Sequence, residues 1–149
     1  LIDIRSIRFP GIVSSSEPGG GTTDYVVEML NAAKQNKSYV SPLNKNTVLP
    51  MMHVEDAVSA TLKLMNVERK KISINGAYNL GSFETSPKQW SEIISSLGYE
   101  LKLEFKEDFR QSTADSWPKK IDDTQFRNDI FWSPKFDAKS TAEDILKLI

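Results

Sequence analysis

The sequence predicts an α/β fold. Short apolar or alternating stretches of strand type are interleaved with stripes of helical period. Pro, Gly and capping residues punctuate the joints between them. Residues about 2–9 set Ile2, Ile4, Ser6 and Phe9 against Asp3, Arg5 and Arg8, an imperfect alternation that predicts a strand. Pro10-Gly11 is expected to stop it. A polar stretch, Ser14 to Pro18, leads into Gly19-Gly20-Gly21, which holds three of the chain's seven glycines and predicts a turned or mobile loop. A helix should begin at Thr23 or Asp24, either of which can cap free N–H groups. Tyr25, Met29, Ala32 and Ala33 share one of its faces, and Asn36-Lys37-Ser38 ends it.

Tyr39-Val40 is a short strand candidate. Val48 to Val54 is a second extended segment, which Pro50 should confine to an edge or bulge. A helix follows over about 55–66, with Glu55 and Asp56 in its positive first turn and Ala57, Val58, Thr61, Leu62 and Met65 on the expected buried face. Glu68 to Lys71 reads as a solvated link, and Ala77 to Leu80 as a strand ending at Gly81. The next helix has the best start signal: Ser86 as N-cap, Pro87 at the first position, Gln89 closing a capping box. Trp90, Ile93, Ile94 and Leu97 repeat at helical spacing, and Gly98 supplies the stop. Residues 100–105 alternate strictly and predict a half-buried strand. A polar, aromatic-marked segment runs from Asp108 to Trp132. A last helix, capped by Thr141 and Asp144, should bury Ala142, Ile145, Leu146 and Ile149.

Composition excludes several functions. The 149 residues carry 19 Lys+Arg against 20 Asp+Glu, so there is no basic excess for tracking phosphates, and no nucleic-acid partner is expected. Without cysteine there is no disulfide framework, thiol nucleophile or cysteine-based zinc site, and a single histidine excludes a multi-His metal site. No apolar run approaches the roughly 20 residues of a membrane span. Charge at Asp3 and Arg5 does not suit a secretory signal. The chain opens inside a strand and without an initiator Met, which reads as a piece of a longer protein.

The catalytic scan is largely negative. Gly19 and Gly21 have the first spacing of a dinucleotide fingerprint, but Asp24 holds its third position and would repel a pyrophosphate. Four residues beyond Tyr25, Tyr39, Tyr78 and Tyr99 stand Met29, Leu43, Ser82 and Leu103, so no Tyr-x-x-x-Lys pair exists. The segment Gly19 to Tyr25 reads either as a flexible connection with a Thr/Asp cap or as a closing loop whose hydroxyls and carboxylate hold a small ammonium- or hydroxyl-bearing ligand. His53 reads as a structural hydrogen-bonding group near a strand end. Trp117, in a polar loop, is either a packing anchor or a cover over a pocket.

Arg8-Phe9-Pro10-Gly11-Ile12 followed by Pro18-Gly19-Gly20-Gly21-Thr22-Thr23-Asp24-Tyr25 closely resembles the second half of the L-threonine 3-dehydrogenase family. This is the extended short-chain type related to NAD-dependent sugar epimerases and dehydratases. Leu49-Pro50-Met51-Met52, Phe109-Arg110-Gln111, Ala114-Asp115-Ser116-Trp117-Pro118 and Ile121-Asp122-Asp123 match in order and approximate spacing, so the resemblance spans essentially the whole chain. The glycine/TTDY and ADSWP blocks are specific to the family, whereas His53-Val54-x-Asp56 recurs across the superfamily.

The resemblance implies that residues 1–149 form the C-terminal substrate-binding portion: late strands of the Rossmann sheet plus the small substrate-binding subdomain, with the NAD-binding half upstream. It implies oxidation of L-threonine at its β-hydroxyl to 2-amino-3-ketobutyrate, in threonine catabolism, with NAD as cofactor. The family's Tyr/Lys pair would also lie upstream, so no catalytic residue is expected here and the chain alone should be inactive. Pro10, Gly11 and Ile12 fall where the family's chain passes the nicotinamide, the Ile12 backbone meeting the carboxamide. Thr22, Thr23 and Asp24 match the substrate loop, and Trp117 matches a residue that closes over the site. Arg110 matches a carboxylate partner or a member of a structural ion pair. Val48 departs from a basic residue common in the family, and His53 from a tyrosine. A homodimer formed through upstream helices is implied, with a small-molecule substrate, no membrane partner, and the mitochondrial matrix or cytoplasm as compartment. The alternatives are a nucleotide-sugar epimerase or dehydratase of the same fold, or a truncated non-catalytic product. An isolated portion should expose a hydrophobic sheet edge and tend to aggregate.

Overall fold

The computed structural model describes residues 2–74 and 76–149, in seven short strands and six α-helices. In order they are β1 (Ser6–Arg8), β2 (Gly11–Val13), α1 (Tyr25–Lys34), β3 (Tyr39–Ser41), β4 (Leu49–His53), α2 (Val54–Asn66), β5 (Ala77–Asn79), β6 (Phe83–Thr85), α3 (Pro87–Ser96), β7 (Leu103–Phe105), α4 (Phe109–Asp115), α5 (Thr124–Ile130) and α6 (Ala138–Leu148). The α/β class is as the sequence predicts.

The strands form three small sheets. β1 pairs in parallel with β5, β3 in parallel with β7, and β4 lies between parallel β2 and antiparallel β6. The expected strand over 2–9 is thus only β1. Just upstream, the Arg5 guanidinium donates to the carbonyls of Leu64, Met65 and Val67 at the C-terminal end of α2, where a cation meets free carbonyls and the negative end of the helix dipole. Pro10-Gly11 interrupts pairing but does not end it, because β2 resumes at Gly11 against Met51. Pro50 is not on an edge strand. It pairs with Glu84 of β6, and the ladder to β2 starts one residue later, so on that side the proline lies beyond the hydrogen-bonded register.

Two hydrophobic clusters flank β4. One joins α1, α3 and α6 around Tyr25, Met29, Trp90, Ile94 and Ile145. The other joins α2, β5 and α5 around Leu64, Tyr78, Phe126 and Trp132. The α3 start is as predicted: Ser86 accepts from the Gln89 N–H while the Gln89 side chain accepts from the Ser86 N–H. Gly98 follows the helix with φ +85°, a conformation that favours glycine.

Other expectations are corrected. The buried face of α2 is Asp56, Ala57, Ala60 and Leu64, while Val58, Leu62 and Met65 are exposed. The cap of α6 is Asp137, in a capping box with Ser140, and not Thr141 or Asp144. The polar segment after Asp108 holds α4 and α5, and residues 100–105 contribute only the three-residue β7.

Candidate functional site

The glycine loop closes on its own helix. Asp24, the residue preceding α1, already has helical backbone angles and makes no side-chain cap. Its carboxylate turns back and accepts the Gly19 and Gly21 N–H groups, each at 2.8 Å. A carboxylate on two convergent amides satisfies donors that otherwise attract anions. The loop is thereby fixed at the start of α1, with Thr22 and Thr23 half-buried beside it.

Across from this loop runs β2. A Cβ placed on Gly11 would lie 2.5 Å from Thr23 Cγ2 and 2.9 Å from Met51 Sδ, so only glycine lets strand and loop approach this closely. Beside that contact lies a cleft of about 300 Å³. Phe9, Pro10, Gly11 and Ile12 line one side, Thr23 and Pro50 contribute, and Trp117, Pro118 and Ile121 come from the chain beyond α4. The walls are mostly apolar and include three prolines, which suits a flat ring better than a phosphate.

Five of the seven site residues expected from the resemblance therefore meet in one cleft: Pro10, Gly11, Ile12, Thr23 and Trp117. Thr22 and Asp24 do not line it. Phe9, Pro50, Pro118 and Ile121 were not singled out, although each belongs to a motif block that carries the resemblance. Trp117 also borders a neighbouring polar pocket of about 480 Å³ with Asn44, Thr47, Gln111 and Asp115.

Arg110 does not line the cleft. It forms an ion pair with Asp108 at 2.8 Å, caught next to Glu28, which in turn accepts from the Tyr39 hydroxyl. The hydrogen bond from Arg110 holds the Asp108 carboxyl below its ordinary range. His53 is structural: it is buried, stacks on Phe136 at 3.9 Å, accepts the Glu55 N–H through Nδ1, and reaches Asp144 through Nε2 at 3.2 Å. With Nδ1 accepting, the proton of the neutral ring sits on Nε2. Val48 borders the polar pocket and not the apolar cleft.

Burial pushes the hydroxyls of Tyr25, Tyr39 and Tyr78 up, opposite to what a proton-abstracting tyrosine needs. Among the described residues no group of acidic or histidine side chains is arranged to hold a metal ion. No helix among them is long and apolar enough to cross a membrane.

The fold is similar to that of the C-terminal portion of the epimerase/dehydratase-type α/β enzymes. Within that class the chain is similar to L-threonine 3-dehydrogenases. A monomeric L-threonine 3-dehydrogenase from a metagenome, in its apo form, shares 40% identity with a TM-score of 0.94, covering 99% of this chain and 48% of that one. The GalE-like L-threonine dehydrogenase of Cupriavidus necator, in its holo form, shares 36% with a TM-score of 0.94, covering 99% and 48%. A curated relative, an uncharacterized epimerase/dehydratase of Staphylococcus aureus, is 39% identical over 150 residues, 99% of this chain and 47% of its own length. The chain spans about half the length of the curated relatives it matches. No family model matches it.

Proposed function

We propose that this chain is the substrate-binding portion of an NAD-dependent L-threonine 3-dehydrogenase, which converts L-threonine to 2-amino-3-ketobutyrate. The observation that carries the reading is the meeting of Pro10-Gly11-Ile12, Thr23 and Trp117 around one cleft, since these segments are separated in sequence and the resemblance assigns each of them to the site. NAD, when bound, accepts the hydride from the β-carbon of the substrate. The flat, apolar walls at Pro10, Gly11, Ile12 and Pro118 fit a nicotinamide ring, and Ile12 offers backbone groups for its carboxamide.

The residues of this chain bind and orient. Thr23, whose Cγ2 methyl packs against Gly11 of β2, offers its hydroxyl to the substrate's polar atoms, with Thr22 and Asp24 supporting the loop. Trp117 covers the cleft and excludes water. Proton abstraction falls to a tyrosine–lysine pair outside this chain, in agreement with the raised hydroxyls of Tyr25, Tyr39 and Tyr78, and the chain alone is inactive. The homodimer belongs to the same proposal and stands against a relative described as monomeric. A mitochondrial-matrix or cytoplasmic location belongs to it as well.

The test is NADH formation by the longer enzyme carrying this chain. It should appear with L-threonine and not with UDP- or dTDP-sugars. Turnover of a nucleotide sugar instead would favour the epimerase/dehydratase reading suggested by the curated relatives. Turnover of neither would favour a non-catalytic product.

A further inference from the structure

Helix α4 carries Trp117 at its end. The Trp117 N–H donates to the Ala114 carbonyl at 3.1 Å, and the Ser116 N–H to that of Thr113 at 3.1 Å, so the backbone at the indole continues the last turn. The indole borders both the apolar cleft and the polar pocket of about 480 Å³, and Trp117 is 39% exposed. With cavities next to it, the ring takes its place from where α4 stands.

Apolar packing does little to place α4. The helix is seven residues long, too short to be stable alone in water, and the residue it buries is Ala114, whose side chain is one methyl group. Polar fastenings do more. Gln111 binds the loop that leads into β4. Its Oε1 accepts the Asn44 N–H at 2.7 Å and the Thr47 hydroxyl at 3.1 Å. Its Nε2 donates to Asp115 Oδ1 at 2.7 Å and to Thr47 Oγ1 at 3.0 Å. Both acceptor positions and both donors of the amide are thereby used. The orientation of the amide is fixed as well, because a backbone N–H can only donate and a carboxylate only accept. The loop continues into β4, whose Pro50 lines the cleft, so Gln111 joins the segment that carries Trp117 to the segment that carries Pro50.

We propose that Gln111 is a positioning residue for Trp117. Its amide fixes α4 against the loop 44–47, braces the last turn through Asp115, and so holds the indole over the cleft. This rests on the reading above that Trp117 covers the site. Gln111 lines the polar pocket and not the cleft, so its effect passes through the indole.

The test observes Trp117 directly. The chain has three tryptophans, and Trp90 and Trp132 are buried in the two cores. Labelling with 5-fluorotryptophan gives three fluorine resonances, and Trp117→Phe assigns one of them. Gln111→Ala should move the Trp117 resonance towards that of free 5-fluorotryptophan and leave those of Trp90 and Trp132 in place. Gln111→Glu sets two carboxylates together and should act alike. Adding Asp115→Asn to it restores the bond with donor and acceptor exchanged and should return the resonance. In the longer enzyme carrying this chain, Gln111→Ala should lower kcat/KM for L-threonine about tenfold, with no further loss in a Trp117→Ala background.

An unmoved Trp117 resonance overturns the proposal, as do losses that add in the double variant. A Trp90 resonance that moves together with that of Trp117 also overturns it, because Ala114 and Trp90 share a core and the amide would then serve the fold at large. A Gln111→Ala chain that does not fold has the same meaning. A moved Trp117 resonance in a chain whose longer enzyme does not oxidise L-threonine leaves the role of Gln111 standing and rejects the proposed reaction.

Discussion

Gly11 and Thr23 are packed so closely that a methyl group on the first would stand 2.5 Å from Cγ2 of the second. The contact ties the strand expected at the nicotinamide to the loop expected at the substrate. Gly11→Ala should destabilise the protein by about 1–3 kcal/mol, the usual cost of overpacking. Gly19→Ala meets nothing within 4 Å and should stay within about 0.5 kcal/mol of the parent. Urea denaturation of the two variants checks this, and equal midpoints would mean that Thr23 can give way.

The start of α6 offers a contrast between a cap and a buried hydroxyl. Asp137 accepts the Ser140 N–H at 2.8 Å, so Asp137→Ala should cost about 1 kcal/mol. Thr141, which the sequence suggested as the cap, is fully buried and its hydroxyl has no hydrogen-bond partner among the described residues. Thr141→Val keeps the shape and removes that group, so it should be neutral or stabilising by about 1 kcal/mol. A loss of stability in Thr141→Val would show that the hydroxyl is satisfied in solution.

Asp56 is a second anchor near the C-terminus. Although 1% exposed, its carboxylate accepts the N–H groups of Lys135 and Phe136 at 3.0 to 3.1 Å from the first turn of α2. Asp56→Ala strands two amides and should cost about 2–4 kcal/mol. Hydrogen exchange at Lys135 and Phe136 should rise in that variant, and unchanged protection there would refute the assignment.

Acid should act on Asp129. Burial opposes its charged form, but hydrogen bonds from Ser73, Tyr78 and Gln125 outweigh this and hold its pKa down to about 2. The folded value lies below the unfolded one of about 4, so the stabilising contribution is complete above about pH 4 and is lost as pH falls through about 2. Asp129→Asn should therefore be less stable than the parent at pH 6, and the gap should shrink towards pH 2. A gap of constant size would exclude this carboxylate from the acid response.

What the sequence revealed depended on how locally each feature is determined. The α3 start was readable because Ser86, Pro87 and Gln89 satisfy one another within four residues. The three-residue β6 was not, since only its pairing with β4 defines it. For α2 two apolar stripes compete. Val58, Leu62 and Met65 outweigh the smaller Ala57 and Ala60, so periodicity pointed to the exposed face. At the site, the motif blocks contain the segments that line the cleft. Their convergence on one cleft, and the turn of the Asp24 carboxylate onto the glycine amides, depend on long-range packing that no short window contains.

Strand β4 places Met51 in one hydrophobic cluster and Met52 in the other. Adjacent residues of a strand face opposite ways, so this single strand is a wall common to both cores, and a slip of one residue would exchange their contents. Neither core can loosen without removing a surface the other packs against. The two should therefore melt in a single transition, even though the elements around them share no continuous sheet.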